Sequence, residues 1–127
     1  MKLGEYFENA KGRGVMATSD GTGNLTAAVY ARPHFIDEEN VAFIMADRLT
    51  HTNLQSNPHA VYLFMEWGEK YVGKRLYLSK TREEKDSVLI EKIRRRESCP
   101  VDEGYKEGNR FLVYFKIDKV LPLIGGA

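Results

Sequence analysis

The sequence predicts a mainly β domain: six antiparallel strands closing into a small barrel, with three short helices at its periphery. Short apolar runs recur along the chain, and most are separated by clusters of Gly, Asp and Asn that favour tight turns. Nothing alternates as strand–helix–strand over the whole length, which a doubly wound parallel sheet would require. Closure would remove the exposed edges through which sheets pair with other chains.

The elements follow in order. Leu3, Tyr6, Phe7 and Ala10 stand at i, i+3, i+4 and i+7, the spacing of an amphipathic helix, which Gly12 and Gly14 can end. Residues 14–19 read as the first strand, Asp20 to Asn24 as a hairpin connection and 25–31 as the second strand, extended through Arg32-Pro33-His34-Phe35. Pro33 has no N–H for a ladder, so that end belongs at an edge or bulge. A polar turn at 37–40 leads to the third strand, 41–46. A short helix follows, with Thr50 as its candidate N-cap and Asn57-Pro58 as its stop. The fourth strand covers 60–67, a Gly68-Glu69-Lys70 turn comes next, and the fifth strand covers 71–80. Thr81-Arg82-Glu83-Glu84 has the capping-box pattern and opens a helix to about Arg96, with Leu89, Ile90 and Ile93 inward. Arg94-Arg95-Arg96 suits the negative end of that helix dipole, a solvated helix end being favoured over nucleic-acid binding. A polar loop at 98–109, a sixth strand at 110–117 and a terminal extension at 119–124 complete the chain.

The 127 residues, 43% of them hydrophobic, fit a single domain over 1–127 with a real core. A net charge of +1 gives no global attraction to nucleic acid or an anionic membrane. The lone Cys99 excludes an intrachain disulfide and a cysteine metal cage, as a reducing cytoplasm would suit. It precedes Pro100 with no base nearby in sequence, so it does not read as a nucleophile. The first residues carry two glutamates and no long apolar core, unlike a signal peptide, and no apolar run is long enough to span a bilayer. A soluble cytoplasmic protein is the expectation.

The most informative stretch is Asp47-Arg48-Leu49-Thr50-His51-Thr52-Asn53-Leu54-Gln55-Ser56-Asn57-Pro58, set between two apolar runs. A strand feeding a helix start, with an arginine and hydroxyls at the junction, can hold a phosphate. The helix presents N–H groups and its positive dipole end, and Arg48 can add a charge-assisted fork. A capped surface helix with a solvated arginine fits the same residues equally well. His51 could donate to such a phosphate from the first turn. With His59 it lacks a third ligand, so no metal is expected. Arg32-Pro33-His34 reads as a cofactor-lining segment or as a solvated loop. Trp67 and Tyr71 read as packing or dimer-contact residues.

Two strings, Gly14-Val15-Met16-Ala17-Thr18-Ser19-Asp20-Gly21-Thr22-Gly23 and residues Phe43 to Val61, resemble the pyridoxamine 5'-phosphate oxidase-like family, the FMN-binding split barrels. The match is good over roughly residues 1–80 and rests on element order beyond. The resemblance implies a six-stranded antiparallel, Greek-key-like split barrel, working as a homodimer with FMN at each subunit interface. It places the flavin phosphate at Arg48, Leu49 and Thr50, with Asn53 one turn on, and the ring near Val29, Tyr30, Ala31, Met45 and Ala46. Two departures argue against vitamin B6 oxidation. No basic residue stands on 25–31 before Arg32, and the C-terminal Leu121-Pro122-Leu123-Ile124-Gly125-Gly126-Ala127 lacks the Trp and Arg that grip that substrate. The expected function is an FMN-dependent oxidoreductase supplied by NAD(P)H or a redox partner. The alternatives are a non-catalytic FMN or electron-transfer protein, or the same barrel holding haem or a deazaflavin.

Overall fold

The computed structural model describes residues 2–97 and 110–126. In chain order the elements are α1 (Leu3–Asn9), β1 (Gly12–Ser19), β2 (Leu25–Tyr30), β3 (His34–Phe35), β4 (Asn40–Ala46), α2 (Leu49–Ser56), β5 (His59–Glu66), β6 (Gly73–Lys85), α3 (Leu89–Glu97) and β7 (Arg110–Pro122). The strands form one antiparallel sheet in the order β2-β1-β5-β6-β7-β4-β3.

The class is mainly β, as the sequence predicts, but there are seven strands rather than six and the sheet is not closed. Pro33 accounts for the difference. It cannot donate to a ladder, so β2 stops at Tyr30 and the chain restarts as the two-residue β3, which pairs with β4 at the opposite end of the sheet. The two ends still come near each other. The Tyr30 ring on β2 meets the Phe43 ring on β4 edge to face, 6.2 Å between centroids.

The main core gathers Met16, Phe43, Met45, Tyr62, Phe64, Leu76, Leu78, Val113 and Phe115, with Phe7 of α1 and Leu54 of α2 packed against them. A second cluster places Ala42 and Ile44 of β4 with Leu112 and Tyr114 of β7 and with Ile90 and Ile93 of α3. Strand β4 is thus buried on both faces, which is why 41–46 reads as an unbroken apolar run instead of an alternation.

Two local expectations are corrected. The helix α1 ends at Asn9, with Ala10 extended, and Gly12 and Gly14 belong to β1. They are small because neighbours crowd them: a Cβ would lie 2.2 Å from the Met65 carbonyl oxygen at Gly12 and 2.0 Å from the Tyr62 hydroxyl at Gly14. Thr81-Arg82-Glu83-Glu84 does not open a helix. It continues β6, paired with β7 beyond a register shift at Lys80/Arg82. The Thr81 hydroxyl donates to the Tyr114 carbonyl, the Tyr114 hydroxyl donates to Glu84, and the Arg82 guanidinium lies 3.7 Å over the Tyr114 ring. A capping box contributes only about 1 kcal/mol, and the ladder and these cross-strand contacts outweigh it. The helix α3 begins instead after Ser87, whose hydroxyl accepts the Leu89 N–H. Strand β7 takes in most of the expected terminal extension. The expectations for Cys99 and the 98–109 loop lie outside the described residues.

Candidate functional site

The junction between β4 and α2 is built by a strand that ends at Ala46 and a helix that starts two residues later, at Leu49. Arg48, not Thr50, is the N-cap residue. Its backbone is extended, with φ −136° and ψ −171°, and no side chain caps the helix. The helix start is therefore left without a side-chain oxygen to cap its first-turn amides, the arrangement that can accept an anion. Arg48 and Leu49 are exposed beside them, whereas Thr50 is buried.

The rest of α2 is anchored from below. Asn53, 3% exposed, donates from Nδ2 to the Thr18 hydroxyl at 3.2 Å, tying the helix to β1. The His51 ring stacks on Phe111 of β7 at 3.8 Å, and its Nε2 lies 2.9 Å from the Glu83 carboxylate. Gln55 bonds the same carboxylate at 3.1 Å, and the Lys80 ammonium donates to it at 2.6 Å. Burial works against ionisation of Glu83, but the hydrogen bonds from Lys80, His51 and Gln55 outweigh it and hold the group at about 2, below its ordinary 4.5. A depressed carboxylate stabilises the fold above its unfolded value and loses that contribution as the proton is taken up. The melting temperature should therefore fall as pH drops from 4.5 toward 2, and Glu83→Gln should flatten that limb. Parallel wild-type and variant melting curves across this range would refute the linkage.

The flavin-ring residues inferred from the resemblance are distributed as follows. Val29 on β2 is 73% exposed. The end of β2 is pinned by the Tyr62 hydroxyl, 3.2 Å from the Tyr30 carbonyl and 3.0 Å from that of Ala31. Met45 is wholly buried in the main core and Ala46 is 6% exposed, so at β4 the backbone is the surface on offer. The Arg32 Nη1 donates to the carbonyls of Phe7 and Ala10 at 2.8 and 3.0 Å, fastening the end of α1. The segment that follows, Pro33 to Phe35, lines with α1 a cavity of about 380 Å³. Arg48, Leu49, Thr50, His51 and Asn53 thus come together on α2, while Val29, Tyr30 and Ala31 stand at the sheet end that approaches β4 through Tyr30. Sequence reasoning missed Glu83, which the capping-box pattern claimed for a helix, and Phe111 and Arg110, which read only as the start of a strand.

Among the described residues no group of His, Cys, Asp and Glu could hold a metal ion, and no helix is long and apolar enough to cross a membrane.

No family model matches the sequence, and no curated protein matches it. Solved structures do. An FMN-binding protein from Syntrophomonas wolfei subsp. wolfei is 17% identical with a TM-score of 0.78, the match covering 98% of this chain and 85% of that one. An F420 reductase is 15% identical with a TM-score of 0.75, covering 94% and 97%. HutZ, the haem storage protein from Vibrio cholerae, is 17% identical with a TM-score of 0.69, covering 92% and 89%. At these identities the likeness is one of architecture, and it holds over nearly the whole chain. The protein has the split-barrel fold of the pyridoxamine 5'-phosphate oxidase-like proteins.

Proposed function

We propose that this chain is an FMN-binding flavoprotein, an oxidoreductase that passes hydride or electrons between a small donor, such as NAD(P)H, or a redox partner, and its flavin. The observation that carries the reading is the β4–α2 junction: an arginine in extended conformation at the N-cap, with an uncapped helix start beside it. Arg48 and the amides of Leu49 and Thr50 would hold the phosphate. Asn53 and His51, bonded to Thr18 and Glu83, keep those amides in place. The backbone of Val29, Tyr30 and Ala31, with that of Met45 and Ala46, would orient the ring. When bound, FMN supplies the redox chemistry and the protein supplies orientation and hydrogen-bond donors. Vitamin B6 oxidation is not part of the proposal, because β2 carries no basic residue and Arg32 is engaged by α1.

The test is the visible spectrum of freshly purified protein, followed by denaturation to release cofactor and titration of the apoprotein with FMN. Flavin bands and saturable FMN binding support the reading. A haem Soret band, or selective uptake of a deazaflavin, supports instead the second reading that the neighbouring haem and F420 proteins suggest. NAD(P)H turnover with an electron acceptor separates an enzyme from a passive carrier.

The same reading includes a homodimer. Leu25, Ala27 and Val29 of β2 and Ala17 of β1 form an exposed apolar strip, with Ala17 opposite Ala27 and Val15 opposite Val29 in register. Leu25 and Val29 are 81% and 73% exposed, the pattern of a surface that awaits a partner. Val29→Asp should convert a dimer to a monomer by light scattering, since an unpaired charge at an interface core costs several kcal/mol. A wild-type monomer at micromolar concentration would remove the dimer from the proposal.

A further inference from the structure

Arg110 opens β7 and is 7% exposed. Its partner across the ladder is Ala46, the last residue of β4, two positions before Arg48. Directly opposed residues of an antiparallel pair share a face. Arg110 therefore stands beside the small Ala46 methyl, on the side that carries Ala42, Ile44, Leu112 and Tyr114. One of its Nη atoms donates to the Glu91 carboxylate, whose side chain is 47% exposed. Its Nε is buried without an acceptor, the one such side-chain atom among the described residues. A guanidinium keeps its charge and carries five N–H donors, and a buried donor left unmatched is costly. An apolar side chain would pack beside Ala46 without that cost.

We propose that Arg110 is a second ligand for the phosphate docked at the β4–α2 junction, a phosphomonoester held between the guanidiniums of Arg48 and Arg110. The inference rests on the flavin reading above and assigns the phosphate a residue from β7. It also answers a deficit. The strand β2 has no cation before Arg32, and Arg32 is fastened to α1, so Arg48 is the one guanidinium among the residues assigned to the phosphate above. Arg110, paired across the β4–β7 ladder with Ala46 and bonded through Nη1 to Glu91, keeps its Nε for an acceptor beside the end of β4.

The test titrates the full chain with FMN and with riboflavin, which lacks the phosphate, in wild type, Arg110→Met and Arg110→Lys. Loss of a charge-assisted bond to phosphate should weaken FMN at least about tenfold in Arg110→Met and leave riboflavin within about twofold. Lysine should restore only part of the affinity, since it lacks the planar fork. FMN affinity unchanged in Arg110→Met, or an equal loss for both flavins, overturns the proposal, even if melting shows that the variant is less stable. If Arg110→Met does not fold, Arg110→Lys decides on the same criterion: a loss selective for FMN supports the assignment and parity overturns it. A wild type that binds neither flavin removes the flavin reading and this inference together. Wild-type FMN binding with an indifferent Arg110 removes this inference alone.

Discussion

Phe64→Ala should lower the free energy of unfolding by about 3–5 kcal/mol, the range for truncating a fully buried aromatic residue. Phe64 is 0% exposed on β5. Its ring meets Phe7 edge to face at 5.1 Å and Tyr6 at 6.2 Å, so it is a main side chain among those that seat α1 on the sheet. Tyr62 lies stacked at 6.5 Å on the same strand. Removing the ring opens a cavity beneath the helix and deletes these aromatic contacts together. For a domain whose stability is expected at about 5–15 kcal/mol, such a loss is a large share. Urea denaturation followed by circular dichroism measures it, with Val88→Ala as the comparison. Val88 is 85% exposed, and its truncation should change stability by less than about 0.5 kcal/mol. A loss below about 1 kcal/mol for Phe64→Ala would mean that α1 is not anchored through this ring.

The second large effect concerns the junction. Combining Arg48→Ala with Thr50→Ala should weaken FMN binding about a hundredfold, as removing roughly 3 kcal/mol of charge-assisted and polar contact would do. Arg48 is exposed, so its removal should cost little packing, while Thr50 is buried and its loss should cost about 1 kcal/mol of stability. Riboflavin separates the two contributions, because a phosphate site that has been lost cannot alter binding of a flavin without phosphate. Fluorescence quenching of the flavin reports both affinities. Equal FMN affinity in the wild type and the double variant would show that the helix start does not hold the phosphate.

The sequence is most legible where one element dictates its own form. The turn at Asp20 to Asn24 is such a case. Its aspartate accepts the N–H groups of Thr22 and Asn24 at 2.9 and 3.0 Å, and Gly23 supplies a φ of +92°. The unbroken apolar run of β4 is another, since burial on both faces leaves no room for polar alternation. The stop of α2 at Asn57-Pro58 is a third. Misreadings arose where a local signal competed with a distant partner. The Thr81 to Glu84 pattern would cap a helix in isolation, yet Tyr114, thirty or more positions away, draws all of its polar groups but Glu83 into the β6–β7 ladder. Glycines that look like helix terminators serve β1, because only the folded sheet brings the Met65 carbonyl and the Tyr62 hydroxyl against them.

The candidate site divides along the same line. Hydrophobic periodicity, turn chemistry and the Asp47 to Pro58 string determined a mainly β domain and a strand-to-helix corner suited to an anion, because these depend on near neighbours in the chain. Only the tertiary structure decided that the sheet stays open, that Arg32 is fastened to α1, and that His51 is held by Glu83 and Phe111. It alone placed Arg110 beside Ala46. Each of those outcomes depends on strand pairing between residues far apart in sequence, where loop-closure entropy and the register of whole strands, not local preference, select the neighbours.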